Sequence, residues 1–143
     1  MKLKQKIGTR WAGPGDLDWC AGFDHHVPRG VIEHKIAAQE IVIAAYDGQP
    51  IGYLRLEYLW SIIPYIAIIH VLPDYQRQGI GRAILAFVES EMLSRGCETL
   101  MSSSQVDEPE PQAWHRHMGF VECGILAGIN PGGVGEVFFR KVL

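Results

Sequence analysis

The chain has 143 residues, of which 48% are apolar and 20% are charged, and its formal net charge at pH 7 is −3. This length and apolar content predict one domain with a substantial hydrophobic core. The slightly acidic balance argues against a nucleic-acid-binding protein, which would usually show a basic stripe. No run of like charges indicates a membrane-binding surface or an interaction tail.

The cysteines and the N-terminal residues indicate the compartment. Cys20, Cys97 and Cys123 are widely spaced and form no CxxC pair, which predicts reduced thiols in the cytoplasm. The charged N-terminal residues are followed by no apolar segment, so we expect no secretory signal. The longest apolar run, Leu59–Leu72, is too short to span a bilayer and predicts a fully buried strand.

Hydrophobic periodicity and turn residues predict seven strands and four helices. In chain order these are a strand over Lys4–Trp11, a short helix through Ala21 with Asp16 as its N-cap, a helix over Val31–Gln39, strands over Ile41–Tyr46, Ile51–Tyr58 and Tyr65–Val71, a helix over Ile80–Arg95, a strand over Glu98–Ser102, a helix from Pro109 to Gly119, and strands over Phe120–Ala127 and Glu136–Val142. Asp47-Gly48 predicts a hairpin turn. The long helix after Val71 predicts that the strands on either side of it run parallel, because a parallel pair needs a crossover connection.

The segment Val71–Arg82 joins an apolar strand to an amphipathic helix. Gln78 and Gly79 stand where a Ser, Thr, Asp or Asn would usually cap the helix, so its first amides have no side-chain partner. Amides at the positive end of a helix dipole, beside Gly79 and Gly81, predict an anion site that suits a pyrophosphate. A dinucleotide-binding fingerprint would need a third glycine where Ile84 stands.

The pattern Gln76-x-x-Gly79-x-Gly81, after a strand that ends Val71-Leu72-Pro73, resembles the acyl-CoA signature of the GNAT superfamily of N-acetyltransferases. The predicted order of elements also resembles the GNAT order over essentially the whole chain. The resemblance implies an α/β (α+β) fold in a single domain over residues 1–143, with a mixed central sheet of about six to seven strands and helices on both faces. It also implies that two parallel strands splay apart at the cofactor groove.

By the same resemblance, the cosubstrate is acetyl-CoA, and two segments would bind it. The main-chain groups of Ile69, His70 and Val71 would contact the pantetheine arm. The pyrophosphate would be bound by Gln76, Arg77, Gln78, Gly79, Ile80, Gly81 and Arg82. The side chains of Arg77 and Arg82 would add positive charge, and the alternative is that both are merely solvated.

The segment Trp114–Phe120 resembles the Phe-Tyr-x-x-x-Gly-Phe segment of GNAT enzymes. His115 stands where the family usually has the tyrosine that protonates the departing CoA thiolate. An imidazolium with a pKa near ~6.5 can donate to a thiolate with a pKa near ~8.5, so we expect His115 to be the acid. The alternative is that His115 only packs or contacts the cofactor sulfur. We expect His117 to lie on the helix surface.

The general base is predicted from topology. Many GNAT enzymes place a glutamate on the strand that corresponds to Tyr65–Val71, and this chain has no carboxylate there. Glu57, on the preceding strand, is the nearest carboxylate and is the expected base, acting directly or through water. The alternative is a structural ion pair between Glu57 and Arg55.

The acceptor amine would meet residues of several loops and strands. Those expected to bind it are Asp24, His25, Glu33, Tyr58, Trp60, Tyr65 and Ser103. The aromatic residues among them form either a pocket wall or part of the core, and the Ser103 hydroxyl either holds substrate or caps a turn. We expect no metal, because the spacing around Asp24 and His25 does not match structural zinc sites.

The sequence therefore predicts a cytoplasmic N-acetyltransferase that transfers an acetyl group from acetyl-CoA to a primary amine, by direct attack in a ternary complex. The acceptor would be a small molecule or a protein amino group. The absent strand carboxylate and the substitution at His115 leave a second hypothesis, a non-catalytic acyl-CoA-binding or sensor protein of the same fold. A third is a small interaction module without a cofactor. We expect no nucleic-acid or membrane partner, and a homodimer through the apolar C-terminal strand stays open.

Overall fold

The computed structural model describes residues 6–143, so Lys4 and Gln5 of the predicted first strand lie outside the described residues. Within that range the strands are β1 (Ile7–Trp11), β2 (Ile41–Tyr46), β3 (Gln49–Leu59), β4 (Ile63–Val71), β5 (Thr99–Gln105), β6 (Val121–Leu126) and β7 (Glu136–Val142). The α-helices of the same range are α1 (Leu17–Phe23), α2 (Arg29–Ala37), α3 (Ile80–Ser94) and α4 (Pro109–His117).

The strands form one mixed seven-stranded sheet in the order β1-β2-β3-β4-β5-β7-β6, which confirms the predicted fold class. The pairs β1–β2, β2–β3, β5–β7 and β6–β7 are antiparallel. β4 and β5 are parallel, with Tyr65 opposite Met101, as the crossover through α3 requires. Seven registered residue pairs hold β5 against β7, from Thr99 with Val142 to Gln105 with Glu136.

Two hairpin turns flank β3, and only one was predicted. At the predicted turn, Asp47 and Gly48 both have positive φ angles, of 49° and 81°, as a two-residue type I′ turn requires. The prediction that Leu59–Leu72 is one fully buried strand is wrong. Trp60 and Ser61 both have positive φ and form the second turn, where the Trp60 side chain is 76% exposed. In β4 only Pro64 and Ile66 are buried, His70 is exposed, and the other residues are half-buried.

The helix ends follow the local sequence, with one difference in the capping. α1 begins after Asp16, as predicted, and continues to Phe23. The Asp16 carboxylate makes no capping bond to that helix. It accepts the N–H of Gly13 at 2.7 Å and pairs with Arg10 at 2.6 Å, so it orders the preceding turn. α3 ends before Gly96, whose φ of 84° is the left-handed conformation that stops a helix.

The described chain comprises two compact units. The first unit contains the described residues up to Leu56 together with Ile68–Val88, and the second contains Glu57–Ala67 and Glu89–Leu143. The first unit has a core cluster that includes Ile32, Ile41, Ile43 and Tyr53, all 0% exposed. In the second unit, Met92, Leu100 and Phe139 are fully buried. The expectation of a single domain stays a prediction. Within residues 6–143, every helix is too short or too polar to cross a bilayer.

Candidate functional site

The loop before α3 lies in the first unit, and its residues Gln76 to Gly79 are exposed. Arg77 and Gly79 have positive φ angles, of 61° and 83°, and left-handed residues in such a loop turn successive amides toward one side. The N–H of Ala83 donates to the carbonyl of Gly79 at 3.0 Å. The amides in the first turn of an α-helix precede its hydrogen-bond ladder, so they can donate to a ligand. Within residues 6–143, and apart from Gly79 and its two chain neighbours, no atom lies within 4 Å of where a Gly79 Cβ would stand, which leaves room for an anionic group beside this backbone.

The side chains of the loop have distinct roles. Gln76 Nε2 donates to the carbonyl of Val71 at 2.9 Å, and Gln78 Nε2 donates to the carbonyl of Asp74 at 3.2 Å. These two glutamines therefore shape the loop itself. Arg77 and Arg82 are exposed, whereas Gly81 is half-buried in the first turn of α3.

Mostly apolar residues stand on either side of this loop, at the end of β4 and at the start of α3. Ile69 and Val71 are half-buried, and His70 is exposed on β4. The His70 ring centroid lies 5.4 Å from that of Phe23 in α1. Ile80 is 3% exposed and fixes the start of α3. The His70 side chain thus packs against a neighbouring ring.

His115, the predicted acid, lies in the interior of the second unit and is 3% exposed. Its Nδ1 is 2.7 Å from the carbonyl oxygen of Pro111, and its Nε2 is 2.6 Å from the hydroxyl of Ser102. Because a carbonyl only accepts, Nδ1 carries the proton in the neutral ring and Nε2 accepts from Ser102. The ring also stacks on Phe139, with the centroids 4.7 Å apart and the planes 8° from parallel.

This environment argues against the acid role predicted for His115 and favours the alternative that it packs. Burial lowers the pKa of His115 from its usual value, and the Pro111 carbonyl and the Glu136 carboxylate offset that effect only in part. An acid needs a charged ring with a nitrogen that reaches the thiolate. Here the ring is held neutral and both nitrogens have protein partners. The family resemblance placed a functional side chain at this position, but His115 is stacked into the core against β7.

A cavity of about 260 Å³ opens on the second unit. Its lining residues are Glu57, Tyr58, Leu59, Tyr65, Met101 and Phe138. Three of these, Glu57, Tyr58 and Tyr65, are predicted site residues, so the structure brings them together around one space. The hydroxyl of Tyr58 contacts the sulfur of Met92 at 3.7 Å. Trp60 stands exposed at the hairpin tip and is not part of this lining.

A chain of hydrogen bonds leads away from this cavity. The hydroxyls of Tyr65 and Ser103 are 2.5 Å apart, and Ser103 donates to Glu136 Oε2 at 2.5 Å. Asn130 Nδ2 donates to Glu136 Oε1 at 2.9 Å. Sequence reasoning missed Glu136 and Asn130. Only the pairing of β5 with β7, which joins segments more than thirty residues apart, puts Glu136 beside Ser103.

Asp24 is predicted to contact the acceptor, but it is 1% exposed and has three partners within the first unit. Its carboxylate accepts from Arg55 Nε at 2.6 Å, from the Tyr53 hydroxyl at 2.7 Å and from the N–H of His26 at 3.2 Å. Burial on its own raises the pKa of Asp24. The bonds from Arg55 and Tyr53 outweigh it, so the pKa lies below its usual value. Asp24 therefore acts as the internal partner of Arg55, because a buried guanidinium needs a countercharge.

The remaining predicted residues lie at the surface of the first unit. His25 is exposed. Glu33 lines a cavity of about 600 Å³ together with Trp11, Leu17 and Ile36. Within residues 6–143, no three His, Cys, Asp or Glu side chains gather as a group that could hold a metal ion.

Comparison with known proteins gives a consistent set of relatives. Residues 15–120 match the family model described as the acetyltransferase (GNAT) family. The chain is 35% identical over 86 residues to an aminoglycoside N(6')-acetyltransferase type 1 of Stenotrophomonas maltophilia, covering 54% of this chain and 56% of that protein. It is 38% identical over 63 residues to the ribosomal protein bS18-alanine N-acetyltransferase of Escherichia coli strain K12, covering 44% and 43%. These matches span about half the length of the curated relatives.

A solved structure extends the likeness to the fold of nearly the whole chain. The Salmonella typhimurium protein yncA, solved with its cofactor acetyl-CoA, superposes with a TM-score of 0.81. The match covers 96% of this chain and 94% of that chain at 14% sequence identity. At this identity the likeness concerns the fold alone.

Proposed function

Because the chain belongs to the GNAT acetyltransferase family, we propose that it is an enzyme that transfers the acetyl group of acetyl-CoA to a primary amine. The amine attacks the thioester directly, while both substrates are bound. The observation that carries this proposal is the open amide loop Gln76–Arg82 at the start of α3, within the family match. Both relatives given above are named as N-acetyltransferases, which supports an amine as the acceptor.

The cofactor residues keep the roles expected from the resemblance. The pyrophosphate would accept hydrogen bonds from amides of the loop after Gln76, where the positive end of α3 favours negative charge. The N–H of Gln76 itself donates to the carbonyl of Pro73 at 3.3 Å. The exposed guanidinium groups of Arg77 and Arg82 add charge there. The main-chain groups of Ile69, His70 and Val71 would pair with the pantetheine arm. The open space beside Gly79 supports this assignment.

The cavity lined by Glu57, Tyr58 and Tyr65 is the proposed acceptor site. Aromatic walls with one carboxylate suit an ammonium group that must enter a half-enclosed space, since ring faces and a negative charge both attract cations. Glu57 is the proposed proton acceptor, because an alkylamine is mostly protonated at neutral pH and attacks only as the free base. The thiolate that leaves can take its proton from water, so the proposal needs no acid at His115.

The cellular setting is also part of the proposal. Cys20, Cys97 and Cys123 are all free thiols, which supports a cytoplasmic protein. Acetyl-CoA and an amine are the proposed partners. A homodimer, and the expectation of no nucleic-acid partner, stay predictions from the sequence.

The experiment has two arms. Calorimetric titration with acetyl-CoA tests binding, and thiol release in the presence of a panel of primary amines tests turnover. The panel includes alkylamines, aminoglycosides and peptides with a free N-terminus. We expect saturable binding and amine-dependent thiol release. Binding without turnover on any amine would favour the non-catalytic acyl-CoA-binding alternative, and absence of binding would contradict both.

A further inference from the structure

The hydrogen-bond chain behind Tyr65 has a fixed direction. Glu136 is a carboxylate that can only accept, so the single proton of the Ser103 hydroxyl points to Glu136 Oε2. Ser103 then has only lone pairs to offer to Tyr65, and the phenol must donate its own proton to Ser103. The order of donation is therefore Tyr65 to Ser103 to Glu136. Tyr65, at the start of this chain, also lines the cavity.

The carboxylate at the end of this chain is held in place by a closed turn. Asn130 donates to the second oxygen, Oε1, at 2.9 Å. The carbonyl of Asn130 accepts the N–H of Gly133 at 3.0 Å, and the N–H of Asn130 donates to the carbonyl of Val134 at 3.0 Å. Gly132 and Gly133 both have positive φ, which only glycine adopts without strain. Both oxygens of Glu136 thus have a fixed partner, and Oε2 faces Ser103.

We propose that Tyr65, Ser103 and Glu136 form a proton relay that removes a proton from the acceptor amine during acetyl transfer, with Glu136 as the final proton acceptor. This inference rests on the proposed function. Tyr65 Oη accepts the proton from the amine nitrogen as its own proton moves to Ser103 Oγ, and the Ser103 proton moves to Glu136 Oε2. The phenol and the hydroxyl are unchanged at the end, and the carboxylate has become a carboxylic acid.

The amine nitrogen loses two protons during acetyl transfer, so a second proton acceptor can act beside Glu57. An ammonium must lose one proton before it attacks, and the nitrogen of the tetrahedral intermediate must lose another before the amide forms. Glu57 lines the cavity and takes one of these protons, and the relay takes the other. The CoA thiolate then gains one proton from water, so one proton is released overall. β4 carries no carboxylate, and the relay would link Tyr65 on β4 to the carboxylate of Glu136 on β7 by hydrogen bonds.

Steady-state kinetics on matched variants tests the relay. We expect Glu136→Gln and Ser103→Ala to lower kcat by about 10²-fold, a typical contribution of general acid–base catalysis. The KM for acetyl-CoA should stay within about twofold, since neither residue holds the cofactor. Ser103→Thr keeps the hydroxyl and should keep most of kcat. The control is Glu122→Gln on β6, an exposed carboxylate that pairs with Arg116, and it should match the wild type.

A proton inventory separates a relay from a merely structural hydrogen bond. Single-turnover rates are measured in mixtures of H₂O and D₂O for the wild type and for Ser103→Ala. Movement of several protons in one step gives a curved dependence on the deuterium fraction, so we expect a curve for the wild type and a straight line for the variant. Far-ultraviolet circular dichroism establishes whether each variant is folded. If Glu136→Gln does not fold, Ser103→Ala replaces it in the comparison with the wild type.

The outcomes distinguish the relay from the function on which it rests. If the wild type acetylates an amine while Glu136→Gln behaves as Glu122→Gln does, the relay is overturned and the acetyltransferase stands. A straight wild-type proton inventory has the same meaning. If the wild type acetylates no amine, the proposed function fails and the relay falls with it.

Discussion

The hydroxyl of Ser102 on β5 lies 2.6 Å from Nε2 of His115 on α4. This bond, the Pro111 carbonyl and the face of Phe139 enclose a neutral imidazole at a position where the family resemblance implied a catalytic acid. A buried, neutral histidine makes the free energy of unfolding depend on pH.

His115 should make stability fall in mild acid. Because its pKa is lowered in the folded protein, the unfolded chain, with a histidine pKa near ~6.5, binds the proton first. The contribution is complete above pH ~6.5 and is lost as pH falls below it, at up to about 1.4 kcal/mol per pH unit. Urea unfolding at pH 7.5 and pH 5.5 should show a smaller loss for His115→Gln than for the wild type. The control His117→Gln, exposed on the same helix, should lose as much as the wild type, and an equal loss in His115→Gln would contradict this account.

Asp24 should be required for stability. Replacement by Asn removes the carboxylate that pairs with the buried Arg55 guanidinium at 2.6 Å, and removal of one partner of a buried pair costs about 3–5 kcal/mol. Asp18→Asn removes a mostly exposed ion pair with Arg29, so its effect should be small. Chemical denaturation at pH 7 measures both. The Asp24 pKa is lowered by its partners, so this stabilisation is present above pH ~3.9 and is lost as pH falls through the folded-state value. Equal effects of the two variants would contradict the buried pair.

The surroundings of His115 and of Asp24 could not be predicted from the sequence, although most helices and strands could. Ile41–Tyr46 and Glu136–Val142 were predicted residue for residue, because β-branched runs bounded by turn residues are a local signal. The burial of His115 depends on β5 and β7, and that of Asp24 depends on Arg55, thirty-one residues later in the chain. Trp60 looked like part of an apolar strand, since no local rule distinguishes a tryptophan at a hairpin tip from one in a core. The link from Ser103 to Glu136 likewise needs the strand register.

Gly81 should be essential for acetyl-CoA binding. Gly81→Asp puts a side chain and a negative charge at the start of α3, where the pyrophosphate is proposed to bind, and we expect loss of measurable binding. Gly81→Ala adds only a methyl group and no charge, so it should bind acetyl-CoA as the wild type does. Calorimetric titration of the two folded variants makes the comparison. Unchanged affinity in Gly81→Asp would remove this loop from the cofactor site.

Glu57 should matter most where the amine is protonated. Glu57→Gln keeps the size of the side chain and removes the charge, so turnover at pH 7 should fall by about 10²-fold or more if Glu57 takes a proton from the amine. At pH 9 a larger fraction of an alkylamine is already neutral, and part of the turnover should return. Glu98→Gln, an exposed carboxylate next to β5, is the control. If Glu57→Gln follows the wild type from pH 7 to pH 9, Glu57 is not the base.

Transfer of the acetyl group to an amine nitrogen can be followed at the acetyl carbon itself. Acetyl-CoA labelled with ¹³C at the carbonyl is mixed with the protein and an amine, and the carbonyl resonance is monitored by NMR. We expect the thioester signal to be replaced by an amide signal, at a rate that rises with protein concentration. A label that stays on the thioester, or that appears only as acetate, would contradict acetyl transfer to the amine.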